Sequence, residues 1–125
     1  MNYRLLAKKL LPIIAIGAVA ELTWAHHGWA ANEGEQFELT GTVVKTVSLA
    51  GAHANLRIQA EGQVWEITLA PPARTERAGL QENTIPLGAE VTVSGHRSGD
   101  AKRFEIKTER VTYQGKVYNV YPDRE

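Results

Sequence analysis

Two adjacent histidines, His26 and His27, follow directly on Thr23-Trp24-Ala25, which places small residues at the −3 and −1 positions of a signal-peptidase site. Cleavage after Ala25 makes His26 the amino terminus. Its α-amine and imidazole then offer two nitrogen donors to one metal ion, and His27 or His53 completes the set. An amine with two imidazoles is a tetragonal nitrogen arrangement, which copper(II) prefers over most competing divalent ions. The other reading of the same residues is a solvated chain end, since termini are poorly ordered unless something ties them down. His53 is then an ordinary strand-end histidine.

The metal chemistry depends on processing. Arg4, Lys8 and Lys9 supply a basic start, and residues 10–20 form a short apolar run. The small-x-small rule also fits cuts after Ala20 and after Ala30. The former leaves no polar segment before the cut, and the latter places the histidine pair inside the leader. The apolar run is well short of the roughly 20 residues needed to span a bilayer. Export to the periplasm or cell exterior is therefore the expectation, with a signal peptide over residues 1–25. An extended arm over residues 26–35 and one domain over residues 36–125 follow it.

Further candidates surround the histidines. Asn55 and Arg57 alternate with His53 on one strand face and are candidates to orient a ligand or hold an anion. Arg74 and Arg77 lie three apart, so on a helical turn they share a face and suit an anion or a carboxylate. The alternative for both arginines is carbonyl capping or surface pairing. His96, with Arg97, Ser98 and Asp100, reads as a surface loop histidine rather than a fourth ligand. Trp29 is placed to staple the arm onto the domain. Tyr113, Tyr118 and Tyr121 read as packing residues, because no basic groove accompanies them in the sequence.

Catalysis has no visible signature. There is no cysteine nucleophile, no Gly-x-Ser-x-Gly elbow and no glycine-rich phosphate loop, so the chain reads as a non-enzyme. The lack of cysteine also leaves no disulfide staple and restricts any metal to nitrogen and oxygen ligands. The chain carries 14 basic and 14 acidic residues, and the leader removes three of the former and one of the latter. A nearly neutral domain lacks the clustered basic surface that phosphate-backbone binding needs, which argues against nucleic acid.

The elements that must position these residues are mainly strands. Phe37, Leu39 and Val43 share one face of a first strand interrupted by Gly41, a mark of a bulge or bend. Ala54, Leu56, Ile58 and Ala60 face inward on a second strand, and Glu61-Gly62 makes a tight turn. Trp65, Ile67 and Leu69 face inward on a third, which Pro71-Pro72 ends. Residues 73–78 form a short helix closed by Gly79. A fourth strand with Val91 and Val93 inward ends at Gly95. A fifth covers residues 103–113, and a last short strand covers residues 117–121. Three strands, a short helix and two or more strands make the pattern of a small antiparallel OB-like barrel. A β-sandwich is the alternative.

The His-His start with Gly28-Trp29-Ala30, then Leu39-Thr40-Gly41-Thr42-Val43 and Ala52-His53-Ala54, resembles a family of small secreted bacterial proteins of unknown function. The likeness continues through Trp65-Glu66-Ile67-Thr68-Leu69, Pro71-Pro72-Ala73-Arg74 and Arg77-Ala78-Gly79-Leu80. It closes with Leu87-Gly88-Ala89-Glu90-Val91-Thr92-Val93-Ser94-Gly95. It implies export and a barrel, but no reaction. The family usually has Asn-Pro before the central histidine, where this chain has Gly51-Ala52, and an aromatic residue just upstream, where it has Ser48 and Leu49. These departures imply a looser turn presenting His53. The combined expectation is an exported binding protein taking copper(II) through its terminal histidine. A metal-free interaction module for an envelope protein or ligand is the other reading.

Overall fold

The computed structural model describes residues 34–124. The expected signal peptide over residues 1–25, and His26, His27 and Trp29, therefore lie outside the described residues. The elements are β1 (Phe37–Ser48), β2 (Asn55–Ala60), β3 (Gln63–Thr68), α1 (Pro72–Arg77), β4 (Glu90–Arg97), β5 (Glu105–Tyr113) and β6 (Lys116–Asn119). They pair in the order β3-β2-β1-β4-β5-β6. A parallel pairing of β3 with β5, Glu66 to Thr68 against Glu105 to Lys107, closes the first five strands into a barrel. Closure with one short helix between β3 and β4 is the OB-like arrangement, and it sets the sandwich aside.

The inward alternation holds along β2 and β3. Leu56, Ile58 and Ile67 are fully buried and Trp65 nearly so. At the turn between them, Glu61 and Gly62 both have positive φ, 52° and 79°, which is the signature of a type I′ hairpin and matches the twist of the strands. A six-residue helix does not hold by itself. α1 is fixed instead by the buried Thr75, whose hydroxyl donates to the Ala70 carbonyl at 2.9 Å, and by Gly79 at φ 105° just past its end.

β1 is long enough to pair with β2 and β4 together, and it coils to do so. Its register against β2 slips between Val43 and Lys45 and again between Lys45 and Ser48, so the bulges lie beyond Gly41. Gly41 serves a close approach. A Cβ there would stand 2.5 Å from the Gln59 carbonyl oxygen. β5 divides its outer edge, with its first residues against β3 and Arg110 to Tyr113 against β6.

The fourth strand departs from expectation. It runs past Gly95 through Arg97, so His96 and Arg97 are strand residues and not loop residues. Arg97 faces inward over Trp65 (4.8 Å to the ring centroid) and Phe104 (5.4 Å), and donates to the Ala101 carbonyl. Burial pushes its guanidinium below the ordinary arginine value, and the nearby Glu61 charge opposes that shift. The strand continues because Arg97 has an aromatic floor to cover, a partner that alternation along β4 does not reveal.

Candidate functional site

One local irregularity builds the site. Against β4, residue Ser94 pairs with Arg110 but Gly95 pairs with Thr108, so Glu109 is an extra residue in β5. Such a bulge re-aims side chains. Glu109 and Arg110, consecutive in sequence, consequently both reach outward-facing residues of β4. Arg110 Nη2 donates to the Ser94 hydroxyl at 3.3 Å, and Glu109 Oε2 stands 2.9 Å from His96 Nε2. Gly95 makes the crossing possible, since a Cβ there would fall 2.0 Å from the Lys107 carbonyl oxygen and 2.8 Å from Thr108 Cα.

Glu109 is buried, its side chain only 4% exposed, and it gathers both ends of the described chain. Its carboxylate Oε2 also accepts from Arg124 Nε at 3.4 Å, and its main-chain oxygen accepts from the Val120 amide at 2.9 Å. Oε1 has no hydrogen-bond partner, with Arg110 Nη1 at 4.0 Å. On the other side of the His96 ring, Nδ1 lies 3.1 Å from the Glu35 carbonyl oxygen. Beside it, Gln36 Nε2 donates to the Ser94 hydroxyl at 2.9 Å.

This network forms part of the wall of a cleft of about 390 Å³. The cleft opens where β3 ends and β5 continues. The loop before β2 contributes His53, the end of β3 contributes Thr68 and Leu69, and β4 contributes His96. β5 adds Lys107, Thr108 and Glu109, and the C-terminal segment adds Tyr121 and Arg124. The His53 loop is held to the strand end by two main-chain hydrogen bonds, Leu69 to Ala54 at 2.8 Å and Ala54 to Ala70 at 2.9 Å. The His53 imidazole itself has no hydrogen-bond partner among the described residues. A second, more open groove shares His96, Glu109 and Arg124 with the first and extends it to Gly34 and Gln36, where the described chain begins.

The sequence-derived candidates separate on this framework. His53 is in the cleft, and so is His96, which the sequence reading gave to the surface. Asn55 is held by Lys45 Nζ at 2.7 Å, and Arg57 pairs with Glu66 at 2.8 Å across the β2–β3 flank, so neither lines the cleft. Arg74 lies over the Tyr121 ring at 5.3 Å and borders the cleft through it, while Arg77 is exposed on α1. Tyr118 is packed in the core, and Tyr121 is a cleft residue. Glu109 escaped the sequence reading altogether. Its signal was a break in parity, with Ile106 inward and then Val111, an odd step along one strand.

Among the described residues no group of three or more His, Asp, Glu or Cys side chains gathers as a metal site. Among the described residues no helix is long and apolar enough to cross a membrane.

Residues 14–107 match the family of unknown function DUF6152. The chain belongs to this family. That agrees with the uncharacterised family that the sequence resembles. No curated protein sequence matches the chain. Among solved structures, it is similar to a ZRD-deleted mutant of TiaS in complex with agmatine, with a TM-score of 0.51 and 15% identity. That likeness covers 69% of this chain and 26% of TiaS. Apo TiaS, a tRNAIle2 agmatidine synthetase, is similar at a TM-score of 0.48 and 16% identity, over 63% of this chain and 18% of that one. At such identity the likeness concerns the barrel fold, and the chain spans about a quarter of TiaS.

Proposed function

We propose that this member of DUF6152 is an exported binding protein that takes copper(II) at the cleft. The α-amine and imidazole of a processed His26 are the primary donors, and His27 or His53 completes the nitrogen set. One observation carries the reading: among the described residues the His53 imidazole has no partner, in a cleft that shares His96, Glu109 and Arg124 with a groove lined by Gly34 and Gln36. Seven residues lie between His26 and Gly34, a stretch that spans at most roughly 25 Å when extended. An open site with few protein ligands suits capture and delivery better than permanent storage.

The test is a copper(II) titration of protein shown by mass to begin at His26, read by electron paramagnetic resonance. One tight tetragonal site with nitrogen hyperfine structure is expected, sharply weakened by one added residue before His26, because the extension turns the amine into an amide. A weak, heterogeneous signal that ignores the extension overturns the reading. A second reading has its own observation. Lys107 and Arg124 line the cleft, and Glu109 is already engaged with His96 and Arg124, which favours an anionic partner without metal. That reading expects no copper site in the same titration.

A further inference from the structure

We infer that His96 and Glu109 are positioning residues that clamp the chain at Glu35 and Gln36, on the rim of the cleft. The inference rests on the copper reading for its purpose, but the clamp itself is a matter of geometry. A neutral imidazole has one N–H and one acceptor nitrogen. Both ring nitrogens of His96 face oxygen acceptors, the Glu109 carboxylate at 2.9 Å and the Glu35 carbonyl at 3.1 Å. Each ring nitrogen therefore has an oxygen within hydrogen-bonding distance at its edge. With both ring edges occupied, His96 holds the arm and does not act as a ligand.

The clamp is well supported from behind. Glu109 is fixed by its place in the bulge, by Arg124 on Oε2, and by the C-terminal amides on its main-chain oxygen. Arg110 ties the same region together, from the Ser94 hydroxyl on one side to the Arg124 carbonyl at 3.2 Å on the other. Ser94 in turn accepts from Gln36. Neighbouring arm residues are thus held at two points, Glu35 by its carbonyl and Gln36 by its side chain. The next upstream residue, Gly34, lines the groove that shares His96, Glu109 and Arg124 with the His53 cleft. Groups that hydrogen-bond directly to a metal's ligands change its affinity 10- to 100-fold when removed, and a clamp further from the ligands is expected at or below the low end of that range.

The experiment compares the processed protein with its His96→Gln and Glu109→Gln variants by two readouts. Backbone ¹⁵N order parameters of Gly34, Glu35 and Gln36 are measured without metal, and copper(II) affinity and nitrogen hyperfine structure with it. Each variant is expected to lower the order parameters and to weaken copper about tenfold, with the hyperfine pattern unchanged. Unchanged order parameters overturn the clamp. So does unchanged affinity in a wild-type protein that binds copper. Loss of one imidazole from the His96→Gln hyperfine pattern overturns it as well, since His96 would then be a ligand. If the wild-type protein has no copper site while the order parameters still fall, the copper reading fails and the clamp stands.

Discussion

His53 and His96 line the same cleft, yet their chemistry differs because their neighbours differ. His96 is spent on two oxygen acceptors, whereas His53 has no partner among the described residues. The same comparison demotes Asn55 and Arg57. Arg57, half in solvent, pairs with the partly exposed Glu66 on the barrel flank, a setting in which an ion pair contributes about 0.2–1 kcal/mol. Arg57→Ala is therefore expected to lower stability by no more than about 1 kcal/mol in urea unfolding and to leave the copper titration unchanged. A large loss of copper affinity would show that the β2 flank takes part in the site. His53→Ala, by contrast, is expected to weaken copper without altering the thermal midpoint measurably, since the side chain is exposed.

Strand irregularities position the site more than regular pairing does. The β5 bulge depends on Gly95, where an added methyl would meet main-chain atoms of Lys107 and Thr108 that have no room to yield. Gly95→Ala is expected to cost about 2–4 kcal/mol in chemical unfolding and to disturb the Glu109–His96 pair. Both effects are measurable, the second as a change in the His96 imidazole proton resonances. A stability loss well under 1 kcal/mol would mean that β5 can re-register without its bulge. Gly41 shows that not every strand glycine is a bulge. Its backbone follows the ordinary register with Val91, and its missing side chain admits the Gln59 carbonyl instead.

The whole molecule is a barrel with a tail that finishes it. β6 and the residues after it cover the part of β5 that β3 leaves open, and Val120 is fully buried there. Val120→Ala is expected to destabilise by about 2 kcal/mol through the lost methyls and the cavity they leave. Because the tail also supplies Arg124 and the amides on Glu109, the same variant should lower copper affinity modestly by loosening the clamp. With no cysteine in the chain, this packing holds without covalent ties.

The barrel was legible because its determinants are local. Period-two alternation in β2 and β3, Glu61-Gly62 at the hairpin and Pro72 with Gly79 around α1 each act within a few residues, and the structure follows them. The family resemblance and the place of His53 beside a strand were legible for the same reason. His96 was misread as a loop residue and Glu109 went unseen, because their roles exist only after closure. A bulge that no single residue announces turns Glu109 toward β4. The chain then brings His96 and Arg124, far apart in sequence, onto one carboxylate, and the other side of the His96 ring meets the Glu35 carbonyl. Local steric and hydrophobic preferences write the strands, while long-range hydrogen bonding in a buried setting chooses which polar groups meet, and that choice belongs to the tertiary structure.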